Sequence, residues 1–259
     1  MEKKVLLLIP ARFQSSRFPG KPLVTVSGIS MIKRVLTNMS DITDHEIKFK
    51  AFVVTDDDRI EKHVKEFSPN VIRIDDDVNS GTLRIELAYS RFFAKDNWDL
   101  IINVQGDEPL LLKEEIIRLA KYHLNSSFDM ATLVKKNIGF DTVFRDANKV
   151  KAVISEFDGR ALYFSRAPIP FKRDIQSTID LNDFWYLHIG VYSYRPEALL
   201  KFSRLNESRL ENLEKLEQLR ALENGLTIGT ITTECNLMGI DSPEDVAVVE
   251  KMLSEIHKR

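Results

Sequence analysis

A cationic loop follows the first apolar run of the sequence. The run Val5–Ile9 is predicted to be a buried strand, and the residues after it bring together Arg12, Arg17 and Lys21 within a short stretch. Gly20 allows the backbone to approach a ligand closely. A triphosphate needs such a combination, because backbone N–H donors and fixed cations together offset the charge around a transferring phosphoryl group. The loop therefore favours a phosphate site, with a solvated basic turn as the alternative.

Two aspartates far apart in the sequence are further candidates for chemistry. Asp107 follows the apolar run Leu100–Val104 and Gly106, so it should project from the carboxyl edge of a sheet, where α/β folds place their ligands. Asp241 directly precedes Ser242, the N-cap of a predicted final helix. Each aspartate has a structural alternative, a surface turn for the first and a helix cap for the second. The residues alone leave these alternatives open.

Short apolar runs alternate with amphipathic segments through the first half of the chain. The runs are brief, rich in β-branched residues and bounded by Pro, Asp or Gly, which is typical of buried strands. They are Val5–Ile9, Ala51–Thr55, Val71–Ile74 and Leu100–Val104, and the segments with helical spacing are Met31–Met39, Asp58–Phe67 and Leu83–Phe93. This alternation predicts an α/β fold with a doubly wound sheet, parallel in its first half, and helices on both faces.

The second half of the chain is predicted to extend this sheet with antiparallel strands. No long helix separates its β-like runs, which are Val150–Ile154, Ala161–Phe164 and Ile189–Tyr194. The sheet should therefore be mixed overall. We expect one domain over residues 1–259, with an antiparallel subdomain at approximately 135–205.

One continuous helix is predicted over Leu210–Glu223. Ser208 and Glu211 match a capping box at its start, and Gly225 follows its end. A leucine stripe at helical spacing should pack into the core; its members are Leu210, Leu213, Leu216 and Leu219. Only Glu217 and Gln218 on this helix are then candidates for function.

Composition and charge narrow the possible classes of function. The chain has 259 residues, 43% of them hydrophobic and 29% charged, which is ordinary for a globular protein. A formal net charge of −2 provides no global positive field for nucleic acid or an acidic membrane. The lone Cys235 excludes an internal disulfide framework and a multi-cysteine zinc site. The apolar run near the N-terminus is too short for a signal peptide or membrane span, so a cytoplasmic protein is expected.

Eight segments, in order along nearly the whole chain, resemble the 3-deoxy-manno-octulosonate (Kdo) cytidylyltransferases, which make CMP-Kdo for lipopolysaccharide. The segments are Pro10–Leu23, Thr55–Ile60, Ser80–Thr82, Asn103–Pro109, Ala161–Pro170, His188–Tyr192, Leu213–Arg220 and Gly239–Asp245. The resemblance implies a Rossmann-like fold of the nucleotide-diphospho-sugar transferase type. It also implies a homodimer that transfers CMP from CTP to the anomeric hydroxyl of Kdo and releases pyrophosphate.

The resemblance gives roles to the nucleotide-side residues. Asp107 and Asp241 would bind the catalytic Mg²⁺, which typically takes one or two carboxylates plus phosphate oxygens and waters. Arg12 and Lys21 would offset the negative charge of the departing β- and γ-phosphates, and Arg17 would support the loop or the phosphates. Four further residues would lie by the nucleotide, namely Ser80, Gly81, Thr82 and Gln105. A helix cap is the structural alternative for the Ser-Gly-Thr segment.

The sugar-side residues implied by the resemblance are Arg166, His188, Glu217 and Gln218. An acidic sugar needs a cation or a cluster of donors for its carboxylate, and Arg166 would supply the cation. His188 borders an apolar strand, so a structural histidine is its alternative. Where the family usually has an acidic residue after Ser-Gly-Thr, this chain has Leu83. An 8-amino analogue of Kdo therefore stays open as the substrate.

Other functions remain as alternatives. A different pyrophosphorylase of the same fold would use another nucleotide or sugar, and a sensor would bind a nucleotide sugar without turnover. The joint presence of Arg12, Lys21, Asp107 and Asp241 argues against the sensor. A glycosyltransferase normally carries an Asp-x-Asp metal motif, which Asp56–Asp58 formally matches. We interpret that run, like Asp75–Asp77, as a solvated turn.

Overall fold

The structure is a computed structural model that describes residues 2–14, 18–78, 80–173, 183–235 and 237–256. The strands are β1 (Lys3–Ala11), β2 (Thr25–Val26), β3 (Ile29–Ser30), β4 (Ile47–Thr55), β5 (Val71–Arg73), β6 (Leu100–Asn103), β7 (Met130–Ile138), β8 (Lys151–Ile154), β9 (Ala161–Ser165), β10 (Phe184–Tyr194) and β11 (Ile228–Thr232). The α-helices are α1 (Met31–Ser40), α2 (Asp58–Lys65), α3 (Gly81–Ala88), α4 (Lys113–Leu124), α5 (Thr142–Arg145), α6 (Pro196–Ser203), α7 (Arg209–Glu214), α8 (Gln218–Glu223) and α9 (Pro243–Ile256). A 3₁₀ turn at Lys21–Leu23 and a π-helical turn at Tyr89–Phe93 complete the helical elements of the described residues.

The chain divides into two compact units, one of Met1–Arg118 with Asn236–Arg259 and one of Leu119–Cys235. The predicted antiparallel subdomain at 135–205 falls within the second unit. Within the described part of the chain, each helix is too short or too polar to cross a lipid bilayer.

The first unit carries a parallel sheet in the order β6-β1-β4-β5. Its central strand β1 is buried along Val5–Ile9, where each side chain is fully inaccessible to water. A strand flanked by strands on both edges and covered on both faces must be apolar throughout, and this is the reason for its uninterrupted run of Val, Leu and Ile. The predicted α/β architecture with a parallel first half is confirmed.

The second unit carries the antiparallel strands that the sequence predicted. Strand β10 pairs antiparallel with β7 and β8, β9 pairs antiparallel with β8, and β11 lies parallel to β7. The register of β10 against β7 shifts between Ile189 and Tyr192, which marks a β-bulge. The hydroxyl of Thr132 donates to the carbonyls of Ile189 (3.1 Å) and Val191 (2.7 Å) at this bulge.

The predicted continuous helix over 210–223 is wrong. The chain forms α7 and α8, and Lys215 between them adopts a left-handed conformation with φ 52° and ψ 49°. The predicted capping box of Ser208 and Glu211 is confirmed at the start of α7. Because the helical phase restarts after the break, the predicted leucine stripe is interrupted, with Leu213 66% exposed and Leu219 fully buried.

Candidate active site

The cationic loop leaves the carboxyl end of β1 and closes on itself before the 3₁₀ turn. The N–H of Gly20 donates to the carbonyl of Phe13 at 2.8 Å, and Gly20 has a φ of 74°, which favours glycine. The Phe13 ring lies 3.1 Å from the position that a Cβ at Gly20 would take. The guanidinium of Arg59 lies over the Phe13 ring, with its central carbon 3.2 Å from the ring centre. Loop closure thus sets the direction in which Lys21 leaves the backbone.

Lys21 contacts both of the distant aspartates. Its ammonium nitrogen lies 2.5 Å from Oδ2 of Asp107 and 3.4 Å from Oδ1 of Asp241. The Lys21 side chain is 14% exposed, so this contact is largely shielded from water. One cation therefore reaches two carboxylates that are more than a hundred residues apart in the sequence.

The same contact tests whether the residues fit a divalent cation. The ammonium of Lys21 is a positive charge held by both carboxylates at one point, which is the arrangement that an Mg²⁺ ion with two carboxylate ligands requires. Among the described residues, no group of three or more His, Cys, Asp or Glu side chains could hold a metal ion. A magnesium ion at Asp107 and Asp241 would therefore complete its shell with phosphate oxygens and water, as Mg²⁺ commonly does.

The backbone fixes the separation of the two aspartates. The N–H of Ile240 donates to the carbonyl of Asp107 at 3.0 Å, so the segment that carries Asp241 is bonded directly to the turn after β6. The Asp245 carboxylate accepts from the N–H groups of Asp241 (2.9 Å) and Ser242 (2.8 Å) at the start of α9. An apolar cluster of Val26, Met31, Leu110, Ile240, Val249 and Leu253 holds α9 in place.

A cleft of about 330 Å³ opens beside Lys21 and Asp107. Its lining includes the nucleotide-side candidates Arg12, Lys21, Gly81, Gln105 and Asp107 together with Pro10, Ala11, Gln14, Pro22, Met31 and Gly106. Gly106 is required sterically, because a Cβ there would lie 2.9 Å from the carbonyl oxygen of Pro10. Sequence reasoning gave no role to Pro10 or Met31, whose apolar side chains supply part of the wall.

Arg12 and the Ser-Gly-Thr segment meet on one side of this cleft. The guanidinium of Arg12 donates to the carbonyls of Val78 and Ser80. Ser80 caps α3, since its hydroxyl accepts from the N–H of Leu83 at 3.1 Å, and Thr82 is buried. Gly81 lies against Pro10, with 3.3 Å between a hypothetical Cβ and the proline ring. The predicted structural role of Ser80 as a helix cap is therefore present, and it leaves the backbone of Gly81 facing the cleft. Arg17 lies outside the described residues.

Five of the six aspartates in the acidic runs Asp56–Asp58 and Asp75–Asp77 form ion pairs with arginines among the described residues. Asp56 lies 2.6 Å from the guanidinium of Arg84, an arginine that is 1% exposed. The remaining pairs are Asp57 with Arg59, Asp58 and Asp75 with Arg73, and Asp76 with Arg91. These carboxylates pair with side chains of the same unit. The interpretation of Asp56–Asp58 as a solvated turn is wrong in part, because Asp57 is the N-cap of α2 and Asp58 is its first residue. The run Asp75–Asp77 lies in the connection between β5 and α3. The Asp-x-Asp pattern therefore provides no support for a glycosyltransferase.

His188, a candidate for the sugar side, lies in the second unit on β10. Its Nε2 is 3.2 Å from the hydroxyl of Thr132, and its ring contacts those of Phe164 and Tyr192. Removal of the ring from water lowers the pKa of His188 to about 3. The imidazole is therefore neutral at pH 7 and acts through hydrogen bonds and not through charge.

Among the polar side-chain atoms that are buried without a hydrogen-bond partner in the described residues, two belong to Tyr192 and Gln218 of the second unit. They are the hydroxyl of Tyr192, on a side chain that is 9% exposed, and Nε2 of Gln218, on one that is 7% exposed. Burial raises the pKa of Tyr192 well above its usual value, with smaller contributions from Tyr194 and the nearby Glu217. Unsatisfied buried donors cost free energy unless a ligand or water completes them. Sequence reasoning gave Tyr192 no role, because a tyrosine in an apolar strand resembles a core residue.

Arg166 follows β9 and is anchored by backbone carbonyls. Its Nε donates to the carbonyl of Glu214 (2.7 Å), Nη1 to that of Ala147 (3.1 Å) and Nη2 to that of Lys215 (3.4 Å). The nucleotide-side candidates within the described residues thus belong to the first unit, and the sugar-side candidates belong to the second.

Comparison with known proteins gives consistent results. The sequence profile of the family described as "Cytidylyltransferase" matches residues 6–228. A Phocaeicola vulgatus protein named 3-deoxy-manno-octulosonate cytidylyltransferase is 39% identical over 255 residues, which cover 97% of this chain and 98% of that protein. A Shewanella sediminis protein named 8-amino-3,8-dideoxy-manno-octulosonate cytidylyltransferase is 43% identical over 259 residues, which cover 96% and 98%. Among solved structures, CMP:2-keto-3-deoxy-manno-octonic acid synthetase complexed with CTP matches with a TM-score of 0.85 and 32% identity, over 98% of this chain and 99% of that one.

Proposed function

The chain belongs to the cytidylyltransferase family, and we propose that it transfers CMP from CTP to the anomeric hydroxyl of Kdo with release of pyrophosphate. Relatives of both names, for Kdo and for its 8-amino analogue, match almost the full length of the chain. The contact of Lys21 with Asp107 and Asp241 carries the catalytic part of the proposal, because it supports one cation-binding point formed by two carboxylates.

The reaction is an in-line displacement at phosphorus. The anomeric oxygen of the sugar bonds to the α-phosphorus of CTP, the bond between that phosphorus and the α,β-bridging oxygen breaks, and the hydroxyl proton passes to solvent. Asp107 and Asp241 would hold the Mg²⁺ ion, which when bound would offset charge on the phosphates and lower the pKa of the attacking hydroxyl. Phosphoryl transfer depends mainly on positioning and electrostatics, so a dedicated general base is not required.

The chain's own residues would divide the remaining work. Asp107 and Asp241 hold the metal, while Arg12 and Lys21 offset the charge on the departing β- and γ-phosphates, supported by Arg17. The cleft that contains Gly81 and Gln105 takes the nucleoside, with Ser80 and Thr82 in the same segment.

The sugar side would use donors of the second unit. Arg166 pairs with the sugar carboxylate, and the amide of Gln218 binds a sugar hydroxyl, with His188 and Glu217 beside it. The unpartnered Nε2 of Gln218 and hydroxyl of Tyr192 support the binding of a polar ligand in the second unit. We further propose that the protein works in the cytoplasm as a homodimer and supplies lipopolysaccharide biosynthesis.

The test is pyrophosphate release measured with each of four nucleoside triphosphates against Kdo, 8-amino-Kdo and sialic acid, with Mg²⁺ present. We expect turnover with CTP and Kdo and little with the other nucleotides. A preference for the 8-amino sugar would assign the second candidate substrate, which the 43% identical Shewanella relative favours. CTP binding without turnover on any of these sugars would overturn the proposed activity and leave a nucleotide-sugar binding protein.

A further inference from the structure

The break between α7 and α8 has a structural cost that its surroundings explain. Lys215 adopts a left-handed conformation with φ 52°, a region of backbone conformation in which a residue other than glycine is strained. The local sequence has the periodicity and the capping signals of one continuous helix. The break therefore arises from contacts outside the helix pair.

The break releases backbone carbonyls that Arg166 then uses. The last carbonyls of an α-helix have no partner within the helix. Ending α7 at Glu214 frees the carbonyls of Glu214 and Lys215, which accept from Nε and Nη2 of Arg166 at 2.7 and 3.4 Å. A continuous helix would bond both carbonyls internally and leave Arg166 without these acceptors.

The side chain of Glu214 holds the backbone of the same arginine. Its carboxylate accepts from the hydroxyl of Ser165 at 2.6 Å and from the N–H of Arg166 at 2.9 Å. The ammonium of Lys151, which is fully buried, donates to the carbonyl of Arg166. Both backbone polar groups of Arg166 are thus fixed by charged side chains.

We propose that Glu214 is a positioning residue that, with the break at Lys215, aims Arg166 at the carboxylate of the acidic sugar; this rests on the proposed function. A guanidinium has five N–H donors, and three of those of Arg166 donate to backbone carbonyls. One N–H on each terminal nitrogen is left for a ligand. Two parallel donors on Nη1 and Nη2 are the pair that binds a carboxylate in bidentate fashion.

The first experiment changes the carboxylate. Glu214→Ala removes the acceptors of Ser165 and Arg166, and we expect the KM for Kdo to rise about tenfold while kcat and the KM for CTP stay within about twofold. Glu214→Gln retains an oxygen for the Arg166 N–H and should restore the KM for Kdo to within about threefold of wild type. Glu223→Gln is the matched control, since Glu223 lies on α8 and bonds the N–H of Leu210 instead.

The second experiment changes the backbone alone. Lys215→Gly adopts the left-handed conformation without strain and should leave the KM for Kdo unchanged, whereas Lys215→Val resists it and should raise that KM. This pair tests the inference even if Glu214→Ala fails to fold.

The outcomes separate this inference from the proposed function. A lower melting temperature in Glu214→Ala with an unchanged KM for Kdo, or an equal rise in both KM values, would show a merely structural role and overturn the inference. If the wild-type protein fails to activate Kdo in the same assay, the proposed function itself fails.

Discussion

The two units of the chain fix their candidate functional groups in different ways. In the first unit, charged side chains hold one another: Lys21 bonds Asp107 and Asp241, and the nearby aspartates pair with arginines. In the second unit, Arg166 is anchored to backbone carbonyls and Glu214, and His188 is neutral and enclosed by aromatic rings.

This difference matches two kinds of ligand. A charged cluster can exchange its internal partners for phosphates and a metal ion, because each ion pair has a substitute in the ligand. A sugar is recognised by the positions of its hydroxyl groups. Protein donors that are already fixed to the backbone can match those positions, and they lose little conformational entropy when the sugar binds. The contrast indicates that the charged side chains of the first unit can replace their internal ion pairs by contacts with a ligand. The donors of the second unit are held in fixed positions before a ligand binds.

The largest effect should come from Asp107 and Asp241, the two carboxylates proposed to bind Mg²⁺. Asp107→Asn and Asp241→Asn each remove a ligand charge and should lower kcat by about 10²-fold or more in the pyrophosphate-release assay. Asp99→Asn is the control, because Asp99 is a carboxylate of the same unit that pairs with Lys3 at the opposite end of β1. Turnover near that of wild type in either active-site variant would remove the metal assignment.

A smaller effect is expected from the wall of the cleft. Gly106→Ala would place a Cβ 2.9 Å from the carbonyl oxygen of Pro10, so the backbone must shift. Such overpacking costs about 1–3 kcal/mol, and we expect the KM for CTP to rise about tenfold in steady-state assays. Gly81→Ala contacts only the proline ring, at 3.3 Å, and should have a weaker effect. Equal KM values for both variants would contradict the steric role of Gly106.

The exchange of internal partners is tested most directly at Lys21. Lys21→Met leaves Asp107 and Asp241 without their internal cation, so Mn²⁺ alone, used as a calorimetric probe without nucleotide, should bind about tenfold more tightly. Lys33→Met, which changes an exposed lysine near Phe67, is the control. Unchanged or weaker Mn²⁺ binding in Lys21→Met would show that the lysine does not compete with the metal.

The acid stability of the second unit provides a further test of the contrast between the two units. Burial lowers the pKa of His123 to about 4 and that of His188 to about 3. Below about pH 6.5 these histidines are protonated in the unfolded chain but stay neutral in the native state. The free energy of unfolding therefore falls as the pH drops below about 6.5, by up to ~1.4 kcal/mol per histidine and pH unit.

The two tryptophans of the chain report on the two units separately. Trp98 lies in the first unit and Trp185 in the second, and both are buried. Urea titrations at about pH 7 and pH 5 would be followed by tryptophan fluorescence in two variants. The urea midpoint should fall further between these pH values in Trp98→Phe, which keeps Trp185 of the second unit, than in Trp185→Phe, which keeps Trp98 of the first. His45→Asn, at an exposed histidine, should leave that fall unchanged. An equal pH response from both units would contradict this contrast between them.

The strands and the overall architecture were predictable because their signals are local. Val5–Ile9 is apolar throughout a buried strand, and Leu100–Val104 is apolar except for the buried Asn103. Ser208 with Glu211 is a helix start signal that the structure confirms. The break at Lys215 was not predictable in this way, because Arg166 takes the carbonyls from outside the helical segment. Local periodicity carries no information on such a distant partner.

The candidate site was predictable only in part. The types of Lys21, Asp107 and Asp241 suggested chemistry, and the family resemblance joined them, but no local pattern shows that one ammonium reaches both carboxylates. The roles of these residues stay predictions until the variants are measured. Tyr192 was missed because its neighbours are apolar, and only its buried, unpartnered hydroxyl distinguishes it from a core residue.

Helix α9 and Asp241 have a consequence for protein synthesis. The ribosome makes all of Leu119–Cys235 before it reaches the segment that completes the first unit. Until then a nascent chain lacks Asp241, the second carboxylate that Lys21 contacts, and the apolar side chains of α9 that pack with Val26 and Leu110. A chain that stops early is therefore expected to be catalytically inert and prone to aggregation, so chaperones and proteases would meet it before any substrate does.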